Sequence, residues 1–352
     1  MFDLFSDHQL VTAIGLLGGI LLGLAARLGR FCTLGAIEDL LYGGSSHRMR
    51  MWGLAIATAV IGSFSLIGLG LLDASLSFYL SVRWMPAASI VGGLMFGYGM
   101  ALSGNCGYGA IARLGGGDLR SFVIVLVMGV STYVVLSGPL APLRNLLFEQ
   151  QDVTSDLPPG LAHHLAALTQ LPLAGIGICF GAILLIICLW DAEFRRDSTS
   201  LFWSVVVGLA VVLGWAGTAY VNTQGFEALP VVSHSFSAPL GETILWTMTG
   251  SLRPLSFAVG SITGVWLGAF IGSLIKGHFR WEACDDPREL RRQIFGAAIM
   301  GAGAVIAMGC TVGQGLSAFS LLSLSAPVTF VAIFAGAALG LRQLIEGFRS
   351  PA

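Results

Sequence analysis

The stretch GGLMFGYGMALSGNCGYG, Gly92 to Gly109, decides the fold, because 204 positions later the chain reads GAAIMGAGAVIAMGCTVG, Gly296 to Gly313. On that shift Gly92, Gly97, Gly99, Cys106 and Gly109 fall on Gly296, Gly301, Gly303, Cys310 and Gly313. Each copy is an apolar run that stops at a glycine-rich break carrying a cysteine. Agreement of the cysteines and of the ends of both runs points to a duplicated chain.

The setting of the duplication is a bilayer. The 352 residues are 55% hydrophobic and only 11% charged, with a mean hydropathy of +0.83, against roughly 25% charged residues in soluble domains. Eighteen basic and 19 acidic residues leave a net charge of -1, so there is no basic field to attract nucleic acid. A soluble enzyme and a nucleic-acid binder are both excluded. The 48 glycines imply close helix crossings, or backbone broken where it lines a cavity.

A spanning helix needs about 20 largely apolar residues. Nine segments meet or nearly meet this: Val11 to Leu28, Met51 to Leu72, Met85 to Leu102, Phe122 to Leu140, Leu171 to Trp190, Leu201 to Val221, Pro254 to Ile275, Ile294 to Gly309 and Ala326 to Ile345. Met1 to Leu10 carry Asp3 and Asp7 but no Lys or Arg, so they lack the basic start of a cleavable signal peptide, and the first span is expected to be retained. A nine-span path starting outside leaves only Arg83, Arg144 and Arg253 on the outer side and the other fifteen basic residues in the cytoplasm. The expectation is a multi-pass protein of the cell's inner membrane, N-terminus outside and C-terminus cytoplasmic. Glu149 to Gln170, with Pro158, Pro159, His163 and His164, reads as an external midpoint linker. His278 to Arg292 (HFRWEACDDPRELRR) reads as a solvated cytoplasmic loop with a short surface helix.

If spans one to four correspond to spans six to nine, the offset is five, an odd number, and the two halves run in opposite directions across the bilayer. The expected fold class is therefore all-α: a polytopic helical membrane protein of about nine spanning helices with an inverted pseudo-two-fold repeat. It forms one transmembrane domain, 1–350, with repeat 1 at about 11–140, linker and fifth span at about 141–190, and repeat 2 at about 200–346. A weaker match sets Gly29-Arg30-Phe31-Cys32-Thr33 against Gly214-Trp215-Ala216-Gly217-Thr218, putting Gly217 in the place of a cysteine. Inverted repeats of this kind build secondary transporters, whose substrates bind where interrupted segments of both halves meet.

The six cysteines form no CxxC pair and have no histidine at ligand spacing, which leaves zinc, iron-sulphur and other metal sites unsupported. No cofactor is implied. Cys179 and Cys188 lie in the apolar fifth span and read as small hydrophobes; Cys284, in the charged loop, reads as an incidental thiol. Cys32, Cys106 and Cys310 differ, for each sits in a glycine-rich break: GRFCTLG from Gly29, SGNCGYG from Ser103 and MGCTVGQG from Met308. A helix restarting after such a break directs free N–H groups and its positive dipole end into the membrane, which suits an anion. Small residues that merely permit tight crossing are the alternative. Neutral thiols are weak, polarizable donors that suit a soft sulphur-bearing anion without the grip of an ion pair, and weak multi-site binding favours passage.

The segments GRFCTLGAIEDL, SGNCGYGAIARLGGGDLRSF and MGCTVGQGLS resemble the cysteine-bearing signatures of the YeeE/YedE family of sulphur-transport membrane proteins, and the resemblance extends over nearly the whole chain. It implies a pseudo-symmetric helical protein with half-penetrating helices that takes up thiosulfate, or a similar anion, at three cysteine constrictions, here Cys32, Cys106 and Cys310. Other members are assigned to other sulphur or selenium compounds. Supporting polar or small residues near the breaks are Asn105, Gly107, Arg113, Glu38, Thr311 and Gln314. Arg113 either pairs with Glu38 to brace the first repeat or faces cytoplasmic water. Two other readings stand beside import: a membrane sulphurtransferase carrying sulphur as cysteine persulfide, and a structural or Cu(I)-binding protein, for which the paired Met and Cys ligands are lacking. Bringing a dianion into a cell against about 100 mV costs roughly 4.6 kcal/mol, so uptake needs ion coupling or removal of the product by a cytoplasmic sulphurtransferase.

Overall fold

The computed structural model describes residues 6–149, 157–283 and 286–346. The first half runs α1 (Asp7–Leu28), α2 (Thr33–Leu41), α3 (His47–Gly68), α4 (Pro86–Ser103), α5 (Gly107–Gly115) and α6 (Leu119–Leu136). Then come α7 (Leu173–Leu189), α8 (Ser198–Gln224), α9 (Ala238–Thr249), α10 (Phe257–Ile275), α11 (Pro287–Ile306), a π-helical turn (Gly313–Ala318) and α12 (Ser325–Glu346). Among the described residues there is no β-strand, only isolated bridges. Each of the nine expected spans is present as a helix. Seven helical stretches are long and apolar enough to cross a membrane; α7 is apolar but shorter, and α11 opens with a charged turn. This is a polytopic helical membrane protein.

Local chemistry explains several boundaries. A capping box between Ser6 and Gln9 starts α1; Pro86 and Pro287 occupy first turns; Asp118, Asp197 and Asp286 accept N–H bonds at the starts of α6, α8 and α11.

Packing obeys a two-fold pairing. α1 packs on α10 as α8 packs on α3, and α4 packs on α12 as α11 packs on α6. The short elements follow the same rule: α2 touches α3 and α12, while α9 touches α10 and α6. α5 lies against α10 and α6, and the π turn lies against α3 and α12. Two contacts are their own mates, α1 with α8 and α4 with α11. α7 packs mainly on α3, outside the paired set.

The tightest seam is α1 on α10, where Gly15, Gly19 and Gly23 face Gly260, Gly264 and Gly268. A Cβ on Gly19 would lie 2.9 Å from the Gly264 Cα, and one on Gly264 would collide with the Leu16 carbonyl. The helices meet backbone to backbone, which only glycine permits.

Three expectations need correction. Gly214 to Thr218 lies inside the unbroken α8, where Gly217 makes room for Ile14 of α1; the break in the second half is 225–237, so Gly217 is not the counterpart of Cys32. The charged stretch after His278 is no surface helix, because Pro287 already begins α11, and the preceding loop is pinned by Leu119 N–H to Glu282 O at 3.0 Å and Glu282 N–H to Gly117 O at 3.0 Å. The midpoint linker contains a helix, Leu161–Thr169, tied down by Leu161 N–H to Leu322 O at 2.8 Å. Asp3, Cys284, Arg349 and the linker residues 150–156 lie outside the described residues.

Candidate functional site

All three cysteine breaks share one backbone device. Two residues before each cysteine stands a residue in the left-handed region: Arg30 (φ 53°) before Cys32, Gly104 (φ 75°) before Cys106 and Met308 (φ 55°) before Cys310. A new helix begins immediately after each cysteine, at Thr33, Gly107 and Thr311. Glycine takes this conformation freely, whereas Arg30 and Met308 adopt it at a cost of about 1–2 kcal/mol. The reversal aims each thiol at the start of the next helix.

The thiols are held differently. Cys106 is fully buried at the N-cap of α5, and its Sγ accepts the Gly109 N–H at 3.4 Å. Cys310 is 1% exposed, and its Sγ accepts the N–H groups of Phe236 at 3.2 Å and Gly313 at 3.4 Å, with Ser235 Oγ at 3.8 Å. Cys32, partly exposed, is the N-cap of α2 but makes no capping bond. Asn105 and Gly109, beside Cys106, share a cavity with Cys32, while Gly107 on the other side of Cys106 adjoins the backbone of Phe236, whose N–H Cys310 accepts. The structure thus brings the three breaks together, the Cys106 break adjoining both others.

A cavity opens on each side of this plug. One, about 420 Å³, is lined by Cys32 and Asn105 with Arg27, Arg30, Arg48, Arg113, Lys276 and a single carboxylate, Glu38. Lys276 Nζ donates to the Arg27 and Leu28 carbonyls at the end of α1, and Arg48 pairs with Asp39 at 3.1 Å. The other, about 400 Å³, reaches Gly309 and Ser235 beside Cys310 and is lined by Tyr79, Trp215, Ser233, Ser237, Ser261 and Glu242 among others. The first cavity meets the end of α10 and the second its beginning, so they lie at opposite ends of that spanning helix.

The supporting residues divide. Asn105 is 3% exposed and lines the basic cavity. The Thr311 hydroxyl is buried beside Cys106 without a well-formed hydrogen bond. Gly107 lets α5 approach the 236 segment, since a Cβ there would lie 2.6 Å from the Phe236 carbonyl. Gln314 is committed to structure: its Nε2 donates to the Ala307 and Met308 carbonyls at 2.9 and 3.2 Å, closing the end of α11, and its Oε1 accepts from Ser325. Arg113 and Glu38 both line the basic cavity, but no ion pair joins them, and both are exposed. Of the two arrangements open to Arg113, the exposed one is found.

The second half of the path was missed. Tyr79 and Ser235 adjoin Cys310 and Gly313, and Ser237 is the N-cap of α9. The signal that would have found Ser237 is Phe236-Ser237-Ala238-Pro239-Leu240-Gly241, which matches Phe31-Cys32-Thr33-Leu34-Gly35 once one position is skipped.

Cys188 packs in the core against Gly53, and Cys179 is exposed on α7, away from both cavities. Cys179→Ala and Cys188→Ala should each keep uptake of the transported solute within twofold of wild type in cells. Loss of uptake by either well-inserted variant would mean that α7 takes part in transport.

The profile of the family described as "Sulphur transport" matches residues 28–339. The thiosulfate transporter TsuA of Escherichia coli K12 is 26% identical over 326 residues, which is 86% of this chain and 86% of its own length. TsuA of Spirochaeta thermophila is 26% identical over 322 residues, 88% of this chain and 92% of its own. The probable transporter YedE of Salmonella typhimurium is 26% identical over 191 residues, 54% of this chain and 43% of its own.

Proposed function

Because the chain belongs to the sulphur-transport family, a family of membrane transporters and not of enzymes, we propose that it imports thiosulfate, or a close sulphur oxyanion, into the cytoplasm across the inner membrane. The anion enters the hydroxyl-lined cavity, passes Cys310, Cys106 and Cys32 in turn, and leaves through the basic cavity. The observation that carries this reading is the pair of cavities at opposite ends of α10, one lined by Cys32 and by Asn105 and Gly109 beside Cys106, the other by Gly309 and Ser235 beside Cys310.

The chemistry of the plug supports a soft anion. Each buried sulphur accepts backbone N–H bonds, and its S–H, turned from its hydroxyl neighbour, Thr311 for Cys106 and Ser235 for Cys310, can donate toward a passing ligand. Among the described residues no cationic side chain bonds to Cys106 or Cys310, so the anion is not trapped there by an ion pair. Asn105 and the unpartnered Thr311 hydroxyl add donors beside Cys106. Arg30, Arg113 and Lys276 receive the charge on the far side, partly offsetting the roughly 4.6 kcal/mol of moving a dianion against about 100 mV. The remainder is supplied by ion coupling or by a cytoplasmic sulphurtransferase that consumes the product.

The decisive experiment is uptake of labelled thiosulfate into proteoliposomes, with sulfate, sulfite and selenite as competitors. Saturable uptake that sulfate fails to abolish is expected; no uptake above protein-free vesicles refutes the reading. A persulfide on Cys32, Cys106 or Cys310 found by mass spectrometry during turnover would favour sulphur transfer instead.

In the inverted arrangement, repeats of about 11–140 and 200–346 flank the linker and α7. A reporter before Met1 should then lie outside and one after Ala352 in the cytoplasm. Both reporters on one face would overturn it, because an inverted repeat with this pairing needs an odd number of spans.

A further inference from the structure

The pairing of helices carries a consequence for the path, because a two-fold repeat supplies stations in pairs. Cys106 and Cys310 are mates by the shift of 204 positions. Cys32 is the N-cap of α2, and the packing mate of α2 is α9, whose N-cap is Ser237. The two segments agree around that position, Phe31-Cys32 against Phe236-Ser237, with Leu-Gly following in each. Neither N-cap side chain bonds its own helix. Cys32 lines the basic cavity, and Ser237 lines the opposite one.

Ser237 is 4% exposed, yet its hydroxyl finds no protein partner among the described residues, while it borders a cavity of about 400 Å³. The neighbouring Ser233 differs, since its hydroxyl donates to the Val211 carbonyl at 2.8 Å. With no protein partner and a cavity beside it, that hydroxyl is available to donate to a ligand oxygen there.

We infer that Ser237 is a recognition hydroxyl for the oxygens of the incoming sulphur oxyanion, the fourth station of the path and the two-fold mate of Cys32. This rests on the import reading above. The hardness of the donor fits its place. An oxyanion such as thiosulfate has hard oxygens at one end and a soft sulphur at the other, and a hydroxyl binds the oxygen end better than a thiol does. With the oxygens held at Ser237, the sulphur end is left for Cys310, whose Sγ accepts the N–H of Phe236, the residue next to Ser237. Sulfate, which has only oxygens, occupies the same station but finds no partner at the thiols. It should therefore compete without being carried.

The test is the concentration dependence of thiosulfate uptake in cells that lack other routes for it, comparing wild type, Ser237→Ala, Ser237→Thr and, as a control away from both cavities, Ser65→Ala, whose hydroxyl donates to the Ile61 carbonyl within α3. Loss of one hydrogen bond to a charged ligand should raise KM about tenfold in Ser237→Ala with the maximal rate within twofold, and should weaken inhibition by sulfate in parallel. Ser237→Thr, which keeps the hydroxyl, should stay within about threefold of the wild-type KM, and Ser65→Ala should match wild type. An unchanged KM in Ser237→Ala overturns the inference, as does a fall in maximal rate and melting temperature at unchanged KM, which would make Ser237 a helix cap only. A wild type that carries no thiosulfate would remove the import reading itself, an outcome seen before any variant is measured.

Discussion

Cells that depend on this protein for sulphur should stop growing on thiosulfate when Cys310 is replaced by alanine, and the same holds for Cys106→Ala and Cys32→Ala. At Cys310 the substitution removes a sulphur that accepts two backbone N–H bonds, from Phe236 and Gly313, and leaves a small void inside the plug. The lost donor, at about 3 kcal/mol for a bond to a charged ligand, corresponds to roughly a hundredfold in uptake. Some of the loss could be structural, because two buried N–H groups are orphaned. Cys310→Ser separates the two effects: the hydroxyl oxygen still accepts those bonds, but it is a harder and less polarizable donor. If soft S–H donation is what the substrate needs, serine fails nearly as completely as alanine while membrane insertion and melting temperature stay normal. Full uptake by a well-inserted Cys310→Ala or Cys106→Ala would refute the pathway and return these residues to helix packing.

A second large effect is expected where no substrate passes. Gly264→Leu should abolish accumulation of folded protein in the membrane, read as loss of the monodisperse peak in detergent gel filtration. Its first added atom would collide with the Leu16 carbonyl and lie 2.9 Å from the Gly19 Cα. These are backbone atoms of a facing helix, so no rotamer change relieves the contact, and separating α1 from α10 sacrifices the whole seam. Overpacking of this kind costs more than the usual 1–3 kcal/mol, because the backbone cannot yield. Gly277, just past the end of α10, is the control. Its φ is 65° with open space around it, so Gly277→Ala meets only the left-handed penalty of about 1–2 kcal/mol. That variant should accumulate normally and melt a few degrees lower. Normal folding of Gly264→Leu would mean that α1 and α10 do not meet as described.

Much of this architecture is legible in the sequence, for reasons specific to membranes. Lipid demands about 20 apolar residues per crossing, and nine such runs became nine helices. The breaks at Cys106 and Cys310 are legible because glycine cannot hide in an apolar run. Legibility fails where a position is set by tertiary partners. The start of α11 is obscured by Arg288, Glu289, Arg291 and Arg292, which are compatible with a spanning helix that begins in the headgroup region. The counterpart of Cys32 is obscured because the second copy carries serine and one extra residue, Pro239, which shifts the register. Gln314 looks like a ligand group and is a helix cap, a role that depends on carbonyls six and seven residues back being turned toward it. Glu38 follows the Cys32 break and Arg113 the Cys106 break, and both line one cavity, exposed and not paired with each other.

The two cavities differ in charge. Five cationic side chains face one carboxylate at one mouth, whereas Arg144 and Glu242 balance at the other. An anion on the proposed path is therefore attracted more strongly to the basic mouth than to the balanced one. The screening length is about 8 Å at physiological ionic strength and about 3 Å at 1 M salt, so the asymmetry fades as salt is raised.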